Sequence, residues 1–418
     1  MIVGIAQEEH TLTFRFRPQA ADRRELYNEK AQAAGTFARD SCRYVMPADW
    51  SIARTHPDLL ACVAIALAGP VTDTRLELPM PVSQRFHSAA KEFWGLNVSP
   101  VDPDRPARET PAHGRPALSF SGGIDSTAAL LLLPDNAVSV FLQRFDPPGS
   151  RANQYRVEAA LHACGAVRNT GRELHIIPTD MEYLRAPVGF IDDWTVATPL
   201  VLLADYCGLN SLTLGTILES SYLAGGTHFV DYRQRLRWRR HAATTAAVGL
   251  PWHQVTAGLS EVATSRLVMS SALSSAVQSC VRGGIGAPCE NCWKCFRKRL
   301  LDLALMGEAP SDALLDRYFQ IREARLRLAE RPVKHEDVML YILKQYRGAH
   351  AEMVQLRKRL RPDDVPLAWI ERWFTPARAV LADLRRQGAE RRLAEAYEPM
   401  TERDIADVYA WDRRLSNA

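Results

Sequence analysis

Ala117-Leu118-Ser119-Phe120-Ser121-Gly122-Gly123-Ile124-Asp125-Ser126-Thr127 is the stretch on which the reading of this chain turns. Ala117 to Phe120 is a short apolar run of strand character. Thr127 to Leu133 is an apolar run of helical character. Between them, two glycines let the backbone turn tightly and come close to an anion. The N–H groups of such a loop, and the helix N-terminus behind it, face that anion. Ser121 and Ser126 add hydroxyl donors, and Asp125 either caps the turn or holds a metal-bridged phosphate. The plainer reading is a glycine turn with a serine cap. The complete six-residue string in a strand–turn–helix setting favours a phosphate site.

Working outward, strands alternate with helices. Ala137 to Phe145, Glu173 to Pro178 and Ser211 to Leu218 read as strands, and Gln254-Val255-Thr256 as a fifth. Tyr155 to Cys164, Thr198 to Cys207 and the segment from Glu261 onward read as helices. That alternation predicts an α/β fold with a doubly wound parallel sheet. The proline-rich stretch from Val98 to Pro116 marks a boundary. Residues 1–112 are expected to form an N-terminal α/β extension, with Thr11 to Phe16 alternating like an edge strand and Pro57 to Ala68 a buried helix opening at proline. Residues 113–300 are expected to form the core that carries the phosphate site. Residues 301–418 are a helical C-terminal region, with helices at Ala324 to Leu328, Val338 to Gln345, Ala351 to Leu360 and Ala377 to Leu393.

Of eight cysteines in 418 residues, Cys280, Cys289, Cys292 and Cys295 fall in one Cys-x8-Cys-x2-Cys-x2-Cys segment. Four thiolates close a tetrahedral Zn²⁺ site with no open position, so the zinc is structural; the alternatives are buried free cysteines or an Fe–S cluster. Lys294, Arg297, Lys298 and Arg299 are expected to offset part of the negative charge of the tetrathiolate site. Cys42, Cys62, Cys164 and Cys207 read as small core residues. The N-terminus lacks the basic and apolar regions of a signal peptide, and together with clustered cysteines this predicts a reducing cytoplasm. No apolar run reaches membrane-spanning length. The net charge of +4 is too small to argue for nucleic acid or membrane.

The six-residue loop resembles the pyrophosphate loop of the PP-loop ATP pyrophosphatases, which cleave ATP between its α and β phosphates and adenylate an oxygen of their substrate. With the cysteine spacing added, the chain resembles the QueC-like (7-cyano-7-deazaguanine synthase) family. Pro288-Cys289-Glu290-Asn291-Cys292-Trp293-Lys294-Cys295 and Ser279-Cys280 match its zinc segment. The resemblance covers roughly residues 115–300. It implies a fold of the adenine nucleotide alpha hydrolase type, stapled by zinc at the four cysteines, with ATP, Mg²⁺ and Zn²⁺ as cofactors. It implies nucleotide binding by Ser119, Ser121, Gly122, Gly123, Ile124, Asp125, Ser126 and Thr127. Gly215 and Thr216 are expected to join them, because they lie at the carboxyl end of the fourth strand, where open α/β sheets bind ligands. Asp125 and Ser126 are the expected catalytic residues.

The family's Pro-Gly-Arg-Asn segment has no counterpart; Asp192-Asp193-Trp194-Thr195 stands about where it falls. Its lysine after the fifth strand is replaced around Ser260-Glu261. With these changes and both flanks, the chain is similar to the extended QueC-like proteins of bacterial anti-phage operons, those of the Qat system and of type IV CBASS. That likeness implies adenylation of a 7-carboxy-7-deazaguanine-type carboxylate, then an amide to the N-terminal amine of a partner protein, and a homodimer as in many relatives. The alternatives are a housekeeping synthase making the free nitrile, a tRNA-modifying PP-loop enzyme and a non-catalytic zinc-stapled scaffold. The near-neutral charge argues against a nucleic acid substrate. Among smaller signals, Arg233, Arg235 and Arg237 form either one cationic face of an extended segment or a solvated surface. Asp192 and Asp193 either bind Mg²⁺ or act as base, or merely cap a helix at Trp194. Phe141 to Asp146 is a candidate frame for adenine.

Overall fold

The computed structural model describes residues 1–23, 25–28, 33–147 and 155–414. The three predicted regions also contain residues 24, 29–32, 148–154 and 415–418, which lie outside the described residues. The strands are β1 (Ile2–Glu8), β2 (Thr11–Arg17), β3 (Glu25–Asn28), β4 (Ala33–Phe37), β5 (Ser41–Val45), β6 (Arg75–Ser83), β7 (Asn97–Asp102), β8 (Arg115–Phe120), β9 (Val138–Arg144), β10 (Leu174–Thr179), β11 (Arg185–Ala186) and β12 (Leu209–Leu214). Nine of them form one sheet in the order β12-β8-β9-β10-β5-β2-β1-β6-β7, and β11-β4-β3 form a small second sheet.

The β12-β8-β9-β10 part is parallel, as its sequence predicts. Its strands read as continuous apolar runs because both faces are covered. Along β9, Val138, Val140 and Leu142 enter one core, while Phe141 enters the other. The expectation of a doubly wound parallel sheet needs correction beyond β10. There the β10–β5, β5–β2 and β2–β1 pairs are antiparallel, before the β1–β6 and β6–β7 pairs resume parallel pairing. The N-terminal strands thus extend the core's own sheet. The junction is polar as well as backbone-paired: Arg43 N donates to Asp180 Oδ1 at 2.7 Å, and the buried Tyr44 hydroxyl lies 2.9 Å from Thr198 Oγ1. The Thr11–Phe16 alternation marks a strand inside the sheet, not an edge, since β1 and β5 flank it. Alternation reports a half-buried face and is silent on lateral neighbours.

The helices are α1 (Pro57–Ala68), α2 (Gln84–Trp94), α3 (Ile124–Leu132), α4 (Glu158–Asn169), α5 (Thr198–Leu202), α6 (Leu218–Ser221), α7 (Leu236–Ala247), α8 (Glu261–Met269), α9 (Trp293–Met306), α10 (Asp312–Phe319), α11 (Arg322–Ala329), α12 (Glu336–Gln345), α13 (Ala351–Leu360), α14 (Arg386–Ala396) and α15 (Glu402–Tyr409). α1 is buried nearly all round, as its uninterrupted apolar sequence predicts. The expected fifth strand at Gln254–Thr256 is instead a single parallel bridge, Leu212 to Trp252, held by His253 N donating to Leu212 O at 2.8 Å. The expected helix from Ala377 to Leu393 breaks at Leu381 and Ala382, which are extended; Ala382 N donates to the buried His253 ring at 3.3 Å. None of the described helices is long and apolar enough to cross a membrane.

Order within the parallel strands fixes where a site falls. After β8 the chain places β9 and β10 on one side, and later β12 on the other. The carboxyl ends of β8 and β12 therefore face a topological switch point, where open α/β sheets bind ligands.

Candidate functional site: a glycine-loop cleft beside a four-cysteine cluster

The loop Ser121–Ser126 leaves β8 and enters α3 at this switch point. Gly122 has φ +74°, and a Cβ there would meet Ala160 Cα at 3.0 Å, so both conformation and space require glycine. Gly123 is the N-cap of α3 and supplies no side-chain cap. The loop is tied internally. Ser121 N donates to Ser126 Oγ at 3.1 Å, the two hydroxyl oxygens lie 3.0 Å apart, and Thr127 Oγ1 donates to Gly123 O at 2.9 Å. Gly215, just beyond β12, presses on the start of α3: a Cβ there would lie 2.7 Å from Ser126 N.

A cleft of about 410 Å³ opens over the loop. Ser119, Ser121, Gly123, Ile124, Asp125, Ser126, Gly215 and Thr216 all border it. Gly122 and Thr127 do not; one shapes the turn and the other is buried beneath it. The opposite wall carries Phe141, Tyr155, Phe190 and Trp194. Arg144 stacks 4.4 Å from the Tyr155 ring centroid and 5.1 Å from that of Phe190. The indole N–H groups of Trp194 and Trp252, both cleft residues, are buried with no acceptor among the described residues.

Asp192 caps the Trp194 turn, accepting from Trp194 N at 2.8 Å, whereas Asp193 borders the cleft and pairs with Arg237 at 3.1 Å. Burial would raise the Asp192 pKa, but His241 and Arg237 outweigh it and hold the carboxyl well below its usual range. Arg233, Arg235 and Arg237 do not share an extended face, because a short turn at Tyr232–Gln234 and then α7 interrupt the alternation.

Below Asp125 lies a charged network that local sequence does not reveal. Thr264 Oγ1 donates to Asp125 Oδ1 at 3.2 Å, and Lys298 Nζ stands 3.7 Å from the same oxygen. Lys298 also lies 3.0 Å from Glu261, to which Arg297 Nε donates at 3.1 Å. Burial alone would lower the Lys298 pKa; Glu261 and Asp125 reverse that and raise it. Arg297 and Lys298 thus serve this network, not the cysteine sulfurs.

Cys280, Cys289, Cys292 and Cys295 bring their sulfurs within 4.8 Å of one another. Cys289 Sγ and Cys295 Sγ are 3.7 Å apart. Tetrahedral Zn–S bonds of about 2.3 Å put sulfurs about 3.8 Å apart, so the set fits zinc. Backbone N–H groups point at the sulfurs, with Cys289 N 3.3 Å from Cys280 Sγ and Cys295 N 3.4 Å from Cys292 Sγ, as suits thiolates. The cluster abuts the Ser121–Ser126 loop: Gln278 N donates to Gly122 O at 3.2 Å, and Gln278 and Ser279 line the cleft. Lys294, between the third and fourth cysteines, is solvent-exposed at the cleft. The surrounding walls still withhold enough water to lower its pKa, against the pull of Asp125. The sequence gives no hint of this reach, because it depends on how α9 docks.

A family of unknown function, DUF6395, matches residues 240–412, fewer than half of the chain. The matched stretch contains the cysteine cluster, Lys294 and all the described helices from α8 to α15, and leaves Ser121–Ser126 and Gly215 outside it. No curated protein matches the chain.

Proposed function

We propose that this chain is an ATP-dependent, AMP- and pyrophosphate-forming carbon–nitrogen ligase of the PP-loop, QueC-like type. One observation carries the reading: the N-terminus of α3, without a side-chain cap, opens into a cleft at the switch point between β8 and β12. Such a terminus offers N–H donors and a positive dipole end to phosphate. In this reading Ser121, Gly123 and Ser126 hold the departing pyrophosphate. Lys294 adds charge from the cysteine knuckle. Asp125, beside Lys298 and Thr264, is the carboxylate for Mg²⁺. Phe141, Phe190 and Trp194 give the purine an aromatic wall.

The proposed acid is a 7-carboxy-7-deazaguanine-type carboxylate. Its oxygen attacks the α-phosphorus, and the bond to pyrophosphate breaks. An amine then attacks the acyl carbon, AMP leaves with the oxygen, and one proton passes to solvent. The acceptor proposed is the N-terminal amine of a partner protein, in anti-phage defence. Incubation with ATP, Mg²⁺ and the deazaguanine acid tests the first half: pyrophosphate release supports it, and none with that acid refutes it. Mass spectrometry of co-expressed proteins tests the second, where free nitrile in place of a modified N-terminus would favour the housekeeping reaction.

A further inference from the structure

The cleft has a larger neighbour. A second cavity of about 820 Å³ shares Asp125, Ser220, Arg237 and Lys294 with it. Its far wall comes from the C-terminal region, from the Arg327–His335 segment and Arg414. That wall is fastened down. His335 N donates to Gly225 O at 2.7 Å, Trp411 Nε1 to Gly226 O at 3.1 Å, and Arg413 pairs with the buried Glu336 at 2.7 Å.

The cavity is strongly cationic. Eight lysine and arginine side chains line it against four carboxylates. Two of those carboxylates contribute little negative charge. Glu261 is matched by Arg297 and Lys298, which takes Arg297 out of the eight cations as well. Burial, with Asp337 and Glu261 beside it, keeps Glu219 protonated well above the usual carboxylate range. On the rim, exposed Arg331 has no ion-pair partner among the described residues, and Lys334 stands nearby in sequence.

We propose that this cavity admits the N-terminal segment of the acceptor polypeptide, with its amine at the Asp125–Lys294 boundary and acidic side chains farther back against Arg331 and Lys334. This rests on the amide-forming reading above and adds the acceptor's chemistry to it. Three features favour a peptide. The space is separate from the nucleotide cleft yet continuous with it. It ends at the loop where an adenylate would form. Its charge complements carboxylates. A nucleic acid strand would call for an open basic stripe interleaved with aromatic side chains, not cations gathered around a cavity.

The test uses the full chain and a synthetic peptide with a free amino terminus followed by glycine, serine and several glutamates, labelled at its far end. Fluorescence anisotropy should show binding that weakens with salt. A lysine-for-glutamate peptide should not bind. Arg331→Glu with Lys334→Glu should weaken the glutamate peptide by about tenfold or more, and Arg331→Ala by less, with pyrophosphate release from ATP and the acid unchanged. Equal affinity for both peptides, or no loss in either variant, would overturn the proposal. So would inorganic tripolyphosphate binding there while the glutamate peptide does not. Normal peptide binding without pyrophosphate release would instead refute the adenylation reading and leave the cavity's assignment standing.

Discussion

Gly215 shows how one missing methyl group holds a site open. It lies against the first turn of α3, where a Cβ would stand 2.7 Å from Ser126 N and 2.8 Å from Ser126 Cα, both backbone atoms that cannot rotate away. Gly215→Ala is therefore expected to cost about 1–3 kcal/mol by overpacking, read by urea denaturation, and to weaken pyrophosphate binding as α3 shifts. Unchanged stability would mean that the turn after β12 yields freely. His253 offers a second residue-level expectation. Burial, with Arg385 and Arg392 nearby, holds its pKa down to about 3 against an ordinary 6.5. Between those values the unfolded chain binds a proton that the folded chain does not, so stability rises with pH. This contribution is complete above pH 6.5 and is lost as pH falls toward 3. From pH 7 to 5 the loss is about 2 kcal/mol. The His253→Asn variant, which keeps an acceptor for Ala382 N, should lose about that much less than the parent over this interval; equal losses in both would contradict the assignment. The loop was readable at this scale because Ser121 to Ser126 are neighbours in sequence. Lys294 and Lys298 were not, because residues beside cysteines look like counter-charges until the docking of α9 shows which way they reach.

Among the elements, the cysteine segment and α9 act as one unit. Cys292 caps α9, its sulfur accepting from Cys295 N, and the residues just before Cys280 are tied to Gly122. The four-cysteine segment is thus part of the cleft's wall. Metal analysis should find about one zinc per chain, absent in Cys292→Ser, whose melting temperature should fall because binding energy at such sites is folding energy. Iron in place of zinc, or a Cys292→Ser variant as stable as the parent, would contradict this. The parallel strands were legible as apolar runs bounded by turns, since burial on both faces writes itself into composition. Residues 254–256 and 377–393 depart from their local pattern for one reason: both lie where the C-terminal segment packs on the sheet. Gln254 N donates to Val380 O at 3.1 Å, and Phe374 N to Gly258 O at 2.9 Å. Those tertiary bonds replace the ladder and helix bonds that local pattern predicts.

At the scale of the whole molecule, the flanks differ in what they do. The N-terminal strands lengthen the sheet away from the cleft through antiparallel β10–β5 pairing, which no local pattern announces, because strand partners are chosen over long sequence separations. The C-terminal helices reach back to the site and build the far wall of the cationic cavity. The central claim is adenylation at the loop between β8 and α3, and its most direct measurement is pyrophosphate release from ATP and Mg²⁺ with and without 7-carboxy-7-deazaguanine, for the parent chain and Asp125→Ala. The account predicts release that depends on the acid and is abolished in Asp125→Ala while the fold is kept. Release by the parent that ignores the acid, or that survives in Asp125→Ala, would contradict it.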